Sequence, residues 1–157
     1  MTGIGYYSSP IGELEIQSEG DAITVVGFLR NEKQKEKLTP VIELCINELD
    51  EYFFKGRKFF DVNIQLNGSS FQQRVWNKLI EIPFGKTTYY ADIAAKVGDI
   101  NSVRAVGLAN GQNPIAIIVP CHRVIGKDGS LVGYGGGLEK KTWLLRHEGA
   151  LNQLKIF

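Results

Sequence analysis

The chain has 157 residues, of which 43% are hydrophobic, and a formal net charge of +1 at pH 7. This length and composition are typical of a folded protein with one domain or two small ones. No apolar run approaches the ~20 residues that span a bilayer, so we expect no membrane contact. The N-terminus lacks the basic start and apolar stretch of a signal peptide, which favours a cytoplasmic location, or a nuclear one in a eukaryote.

The two cysteines and two histidines show no spacing typical of a metal site, because none of them forms a CxxC or HxxxH pattern. Thiols stay reduced in the cytosol, so we expect no disulfide between Cys45 and Cys121. The sequence therefore predicts neither a bound metal ion nor a cofactor.

Charge is divided unevenly along the chain. Residues 1–67 carry seven Lys and Arg against eleven Asp and Glu, whereas residues 68–157 carry eleven against six. A basic C-terminal part indicates a polyanionic partner for that part alone. The alternative is chance variation in a modest number of charges.

The first part of the chain predicts a small sheet and one helix. Thr39 and Pro40 are the residue types of an N-cap and a first helical position, and apolar residues at helical spacing follow them. Cys45 lies on the resulting inner face and is interpreted as a small core residue. Alternating or β-branched segments predict strands at Tyr6–Gln17, with a turn inside it, at 22–29 and at 59–66.

After an Asn-Gly-Ser-Ser joint at 67–70, the pattern changes to helices separated by glycine, proline and capping residues. The two middle helices, with the turn between them, have the spacing of a helix-turn-helix. Helices are predicted from Ser69 or Ser70 to Pro83, at 88–97, at 103–110 and at 138–148, with a β-element at 115–119 and a glycine-rich loop at 126–137.

The predicted helix at 103–110 has an unusual surface, because small residues occupy positions 105, 107 and 109. Glycine in a helix interior costs ~1 kcal/mol relative to alanine, so close approach to another backbone should compensate. That backbone belongs either to a neighbouring helix of the same domain or to nucleic acid. Arg104 adds one cation to the same surface.

The apolar run at 115–119 ends abruptly in Pro-Cys-His-Arg-Val at 120–124. Proline fixes its own φ and supplies no N–H, so the chain must turn there. The turn presents the Cys121 thiol beside an imidazole and a guanidinium, and nearby cations lower the pKa of a thiol and so favour the nucleophilic thiolate. Cys121 is therefore a candidate for covalent chemistry.

Several motifs follow one another in residues 68–157: Phe-Gln-Gln-Arg-Val-Trp at 71–76, Ile-Pro-Phe-Gly-Lys-Thr-Thr-Tyr-Tyr at 82–90, Arg-Ala-Val-Gly at 104–107, Asn-Pro at 113–114, Ile-Val-Pro-Cys-His-Arg-Val-Ile-Gly at 118–126, Gly-Gly-Leu at 136–138 and Trp-Leu-Leu-Arg-His-Glu-Gly at 143–149. In this order and spacing they resemble the O6-alkylguanine-DNA alkyltransferases, also called methylated-DNA–protein-cysteine methyltransferases. The N-terminal part resembles the family in pattern, with Ser-Pro-Ile-Gly at 9–12 and Tyr-Phe at 52–53.

The resemblance implies an α+β protein. Residues 1–67 would form a supporting ribonuclease H-like domain with a small antiparallel sheet and a helix, and residues 68–157 a winged helix-turn-helix-like domain. It implies a repair protein that moves an alkyl group, typically methyl, from O6 of guanine, and less readily from O4 of thymine, irreversibly onto its own cysteine. The implied partner is double-stranded DNA containing O6-alkylguanine, bound through the minor groove by a monomer that flips the damaged base out of the helix.

The resemblance also implies catalytic roles. Cys121 would accept the alkyl group, His122 would remove the thiol proton through a bridging water, and Glu148 would orient the imidazole. Tyr90 would donate its hydroxyl proton to ring N3 of the leaving guanine, as an oxyanion-type stabiliser. Asn113 would hold the turn that carries the thiol.

Further residues are implied for the DNA and the base. Arg104 would fill the gap that the flipped nucleotide leaves in the stack. A backbone N–H near Tyr134 would reach O6, and the carbonyls of Cys121 and Val124 would accept from the guanine amine. The other DNA-binding residues implied are Ser102, Ala105, Gly107, Tyr89 and Arg123, and the substrate pocket consists of Pro120, Val124, Tyr134 and Gly135.

Three alternative functions are distinguishable from this one. A non-catalytic alkyltransferase-like protein, which binds the lesion without repairing it, carries Trp in place of the nucleophile, so Cys121 argues against this class. A cysteine hydrolase requires direct Cys–His pairing, which adjacent side chains in an extended turn do not favour. A transcription regulator would carry several polar base-reading side chains on its recognition helix, and the segment 103–110 has few.

Overall fold

The computed structural model describes residues 1–127, 134 and 137–150, and the chain divides into two compact units. The first unit consists of Met1–Asn67 and Pro114–Ala116, and the second of Gly68–Asn113 and Ile117–Phe157. The division after Asn67 falls within the Asn-Gly-Ser-Ser joint. Pro114–Ala116 belongs to the first unit because Val26 N–H donates to Pro114 O (3.0 Å) and Ala116 N–H to Val26 O (2.8 Å).

The first unit contains an antiparallel sheet in the order β1-β2-β3 and one helix. The strands alternate buried and exposed residues, which places Leu14 and Ile16 of the central strand in the core. The predicted strand-turn-strand at Tyr6–Gln17 is confirmed. The elements are β1 (Thr2–Ser9), β2 (Gly12–Glu19), β3 (Ala22–Phe28) and α1 (Pro40–Phe54).

Helix α1 begins where its capping residues predict. Thr39 accepts a hydrogen bond from the Ile42 N–H (3.4 Å), and Pro40 occupies the first turn, where a missing N–H costs nothing. Cys45 is fully buried on the inner face of this helix, which confirms its interpretation as a core residue.

The strand predicted at 59–66 does not form, apart from one bridge between Ile23 and Ile64. The buried carboxylate of Glu48 accepts the backbone N–H groups of Asp61 and Val62 (3.0 Å each) and pairs with Arg57 (2.9 Å). These backbone groups are satisfied by a side chain, so the segment needs no full sheet ladder.

The second unit is mainly helical, as predicted. Helix α2 begins with a capping box between Ser69 and Gln72. The helix predicted at 88–97 is shorter than expected, because its first two residues form a short strand that pairs in parallel with the segment after Cys121. The elements are α2 (Ser70–Ile80), β4 (Thr88–Tyr89), α3 (Tyr90–Lys96), α4 (Val103–Gly111), β5 (Val124–Ile125) and α5 (Leu138–His147).

A 3₁₀ turn at Ile100–Ser102 joins α3 to α4, so the predicted helix-turn-helix spacing is confirmed. The β-element predicted at 115–119 is wrong: Ile115 makes one bridge to Val26, and Ile117 then adopts a φ of 73°, which interrupts an extended chain. Among the described helices, none has the length and apolar character required to cross a membrane.

Candidate active site

Cys121 begins a 3₁₀ turn, Cys121–Arg123, that leads directly into β5. The turn is closed by hydrogen bonds from Cys121 N–H to Val119 O (2.8 Å) and from Arg123 N–H to Pro120 O (3.0 Å). Only 6% of the Cys121 surface is exposed. The thiol is therefore held in a short, hydrogen-bonded turn at the edge of the core.

A buried ion-pair network lies next to the thiol in sequence. His122 Nε2 and Glu148 Oε2 are 2.8 Å apart. Arg123 donates two hydrogen bonds to the same carboxylate, from Nε to Oε1 (2.8 Å) and from Nη2 to Oε2 (3.1 Å). Burial alone would raise the pKa of Glu148, but the charges and hydrogen bonds of His122 and Arg123 outweigh it and hold that pKa well below its usual range. Glu148 is therefore a carboxylate at neutral pH.

This carboxylate determines the tautomer of His122. Burial lowers the pKa of His122, and although the negative Glu148 opposes the shift, the imidazole is neutral at neutral pH. A carboxylate can only accept, so Nε2 carries the proton and Nδ1 carries the lone pair. Nδ1 is buried and has no hydrogen-bond partner among the described residues. His122 can therefore act as a base through Nδ1.

Arg123, which was predicted to bind DNA, is buried and paired with a carboxylate in this structure. Its guanidinium is buried against Glu148, donates to Ile82 O (2.6 Å) and lies 5.8 Å from the centre of the Phe84 ring. It faces the carboxylate and is not free to bind a phosphate. The charge of Arg123 does not contribute to the pKa shift of the Cys121 thiol. Arg123 is therefore not the cation that was expected beside this thiol.

Lys141 supplies that cation, and the sequence analysis missed it. Lys141 is fully buried on α5 and donates to Val124 O (2.7 Å). The pKa of the Cys121 thiol is raised by burial and not lowered as its sequence neighbours suggested, and a hydrogen bond from Asn113 and the charge of Lys141 oppose the rise. The helical spacing of 141, 144, 145 and 148 places Lys141 on the buried face of α5 and was a usable signal.

Two asparagines bind the backbone around the thiol. Asn113 Nδ2 donates to Val119 O (2.8 Å), two residues before Cys121. Asn110 is 1% exposed, and its Nδ2 donates to the carbonyl of Cys121 itself (3.3 Å). Asn110 was not predicted, and an asparagine in a helix of small residues offers no distinctive sequence signal.

Tyr90 and Tyr134 lie close enough to Cys121 for its charge to act on them. Burial raises the pKa of Tyr90 to about 12, with a further rise from Cys121, whereas a hydrogen bond with the Asn110 side chain opposes it. Burial, then the charges of Cys121 and Glu148, raise the pKa of Tyr134 well above its usual value. Both hydroxyls therefore keep their protons at neutral pH and can donate.

The remaining residues predicted for the pocket, and Tyr89 of the predicted DNA-binding set, differ in how exposed they are. Pro120 and Val124 are buried around the thiol turn, and Tyr89 is 40% exposed. Gly135 lies outside the described residues, as do the neighbouring Gly133 and Gly136. The described residues contain no cluster of three or more Cys, His, Asp or Glu that could hold a metal ion.

Helix α4 carries three of the residues predicted to bind DNA, and Ser102 immediately precedes it. Arg104 and Ala105 are exposed, and Ser102, half-buried, donates its hydroxyl to Asp99 O. A Cβ at Gly107 would meet no other atom within 4 Å, so this glycine faces open space and is not required by a neighbouring helix. Ala109, also expected on this surface, is instead buried, and its carbonyl accepts a hydrogen bond from Trp76 Nε1 (2.8 Å).

Two family models match the chain. The model described as "6-O-methylguanine DNA methyltransferase, ribonuclease-like domain" matches residues 4–66, and "6-O-methylguanine DNA methyltransferase, DNA binding domain" matches residues 70–150. A methylated-DNA–protein-cysteine methyltransferase of Mycobacterium tuberculosis is 46% identical over 145 residues, covering 89% of this chain and 88% of the relative. One of Methanosarcina acetivorans is 43% identical, covering 92% and 96%.

The chain belongs to the methylated-DNA–protein-cysteine methyltransferase family. The crystal structure of the M. tuberculosis O6-methylguanine methyltransferase superposes on it with a TM-score of 0.86 at 42% identity, covering 96% of this chain and 94% of that one. A M. tuberculosis structure named OGT, solved in complex with DNA, superposes with a TM-score of 0.83 at 44% identity, covering 92% of each. The predicted family and α+β fold class, with its ribonuclease-like and DNA-binding parts, are thereby confirmed.

Proposed function

We propose that this protein repairs alkylated DNA by transferring one alkyl group, typically methyl, from O6 of guanine, and less readily from O4 of thymine, to Cys121. The observation that carries the proposal is the buried Arg123–Glu148–His122 network, which ends in a histidine nitrogen with a lone pair on the residue that follows Cys121. The thioether product is stable, so each molecule acts once and needs no cofactor. The protein acts where the DNA lies, which is the cytoplasm, or the nucleus in a eukaryote.

The first step is removal of the thiol proton. The proton passes from Cys121 Sγ through a bridging water to His122 Nδ1, and the resulting imidazolium is stabilised by the Glu148 carboxylate. The buried thiolate is then stabilised by the hydrogen bond of Asn113 and by the charge of Lys141. Because the site is desolvated, these interactions are stronger than they would be in water.

In the transfer step the sulfur–carbon bond forms as the carbon–O6 bond breaks, and the bonding electron pair passes to the guanine. Tyr90 and a backbone N–H near Tyr134 donate to the purine as this negative charge develops. One such donor typically contributes ~3–4 kcal/mol to transition-state stabilisation. The carbonyls of Cys121 and Val124 each retain an acceptor lone pair for the guanine amine, because a carbonyl oxygen has two.

DNA binds as a duplex, through the minor groove, to the exposed face of α4, and the protein acts as a monomer. The small residues Ala105 and Gly107 let the helix backbone approach the groove closely, and the open space at Gly107 supports this use. Arg104 enters the stack in place of the extruded nucleotide and recovers part of the few kcal/mol that base flipping costs.

Incubation with a duplex oligonucleotide bearing O6-methylguanine should add one methyl group to each protein molecule, on the peptide that contains Cys121. Peptide mass spectrometry after a time course measures both the site and the stoichiometry. An unmethylated duplex of the same sequence is the control. Repeated turnover, a hydrolysed product, or methyl on another residue would reject the proposal, and binding without transfer would favour the lesion-binding alternative.

Arg104→Ala should slow repair of duplex DNA far more than reaction with free O6-benzylguanine. The side chain acts only when a base must be kept out of the stack, and a free base has no stack. We expect a duplex-specific loss of roughly tenfold or more, since flipping costs a few kcal/mol. Lys96→Ala, at an exposed position on α3, provides the matched charge control. Equal losses on both substrates would remove the role assigned to Arg104.

A further inference from the structure

Asn110 is a buried polar side chain that none of the steps above uses. It lies near the C-terminal end of α4, and its Nδ2 donates to the carbonyl of Cys121. Burial of a carboxamide is unfavourable unless its polar atoms are hydrogen-bonded, so its contacts identify what it does. Asn110 thus connects the helix that carries Arg104 to the backbone of the nucleophile.

A hydrogen bond from the Asn110 side chain lowers the pKa of Tyr90 and so partly opposes the rise caused by burial, which indicates that the two side chains are within hydrogen-bond reach. Its Oδ1 is buried and has no hydrogen-bond partner among the described residues, and only a donor to the phenol oxygen lowers the pKa of a tyrosine, so we infer that Nδ2 is the atom that reaches Tyr90. The two N–H protons are therefore both used, one on the Cys121 carbonyl and one on the Tyr90 oxygen. The opposite amide orientation would bring Oδ1 against the Cys121 carbonyl oxygen, which is repulsive.

This arrangement has a consequence for Tyr90. A hydroxyl that accepts from Asn110 still has its own proton to donate, and the direction of that proton is restricted by the bond already made. In the absence of Asn110, the hydroxyl proton could turn toward the Cys121 carbonyl or another local acceptor, and the donor would no longer be aimed at the substrate.

We propose that Asn110 is a positioning residue for alkyl transfer: it holds the carbonyl of the nucleophile and leaves the Tyr90 hydroxyl oriented to donate to the extruded base. This inference rests on the proposed function. Because α4 also carries Arg104, the same side chain ties the helix that binds the duplex to the turn that carries the thiol. The residue acts through Tyr90, so its contribution depends on the presence of the Tyr90 hydroxyl.

The test is a double-mutant cycle of Asn110→Leu and Tyr90→Phe, with single-turnover methyl transfer from saturating O6-methylguanine duplex as the readout. Leucine has a similar volume but no donors. We expect Asn110→Leu to slow transfer about tenfold or more, the effect of one lost oriented donor in a dry site. In the Tyr90→Phe background the same change should cost less than about twofold, because contacting residues couple.

Two further measurements distinguish positioning from folding. Affinity for undamaged duplex and the thermal midpoint should change little in Asn110→Leu, and Asn77→Leu, the same substitution at an exposed position of α2, should leave transfer unchanged. If Asn110→Leu fails to fold, Asn110→Asp keeps the shape but, when ionised, lacks both N–H donors and should show the same coupling to Tyr90→Phe.

The positioning role would be overturned if the losses of transfer rate in the cycle were additive, or if destabilisation explained the loss in both Asn110→Leu and Asn110→Asp. The repair function would remain intact in either case. The proposed function would fail in a different way, because the unmodified protein would then transfer no methyl group to Cys121. The two failures are therefore distinguishable in one set of reactions.

Discussion

Replacement of Cys121 by serine should abolish alkyl transfer while leaving DNA binding intact. Serine is close in size but is not deprotonated by a neutral imidazole without the full assistance of a hydrolase site. Loss of the nucleophile typically costs about 10⁶-fold when the catalytic groups act as a unit. Transfer is measured as methylated peptide after incubation with O6-methylguanine duplex, and binding by fluorescence anisotropy of a labelled duplex.

Cys45→Ala provides the matched control for this prediction. Cys45 is fully buried in α1, and burial, followed by the nearby charge of Glu48, raises the pKa of its thiol to about 12. It is therefore an unreactive thiol at neutral pH. Cys45→Ala should retain the full methyl stoichiometry, and a loss of transfer equal to that of Cys121→Ser would show that the identity of the acceptor is wrong.

Glu148→Gln should cost both stability and activity. The change leaves the Arg123 guanidinium buried without its counter-charge, and removal of one partner of a buried pair typically destabilises a protein by about 3–5 kcal/mol. A glutamine can also present its N–H group to His122 Nε2 and so move the imidazole proton to Nδ1. The base would then be lost, which typically reduces the rate by 10²–10⁴-fold. Urea unfolding and single-turnover transfer measure the two effects.

The stability difference between the unmodified protein and Glu148→Gln should depend on pH with a definite sign. The pKa of Glu148 is lowered in the folded state from a reference value of 4.5. Its contribution is therefore fully present above about pH 4.5 and is lost as pH falls below that value. Glu139→Gln, the same substitution at an exposed position of α5, is the matched control. If the stability difference between the unmodified protein and Glu148→Gln were the same at neutral and acidic pH, the role of the ionised carboxylate would be contradicted.

Much of the fold could be predicted because its signals are local. The cap at Thr39 and the capping box at Ser69 depend on residues within one helical turn, and both helices begin where those residues indicate. The helix-turn-helix spacing is also local, since it requires only two short helices and a turn.

The two strand predictions that failed depended on distant partners. Alternation at 59–66 was a correct description of the residues, but Glu48, on α1, takes the backbone N–H groups that a ladder would have used. At 115–119 the left-handed conformation of Ile117 interrupts an apolar run that otherwise predicts a strand. Neither feature can be found from the composition of the segment itself.

The sequence by itself determined the family, the position of the candidate nucleophile Cys121 and the boundaries of most helices, because a motif and a capping pattern are read along the chain. Only the tertiary structure decided that Arg123 holds a buried carboxylate, that Lys141 is the cation whose charge acts on the thiol, and that Asn110 touches both Cys121 and Tyr90. The reason is physical: the effect of a charge or a hydrogen-bond donor depends on its distance from other groups and on its burial. Both are properties of the folded chain, not of sequence neighbours.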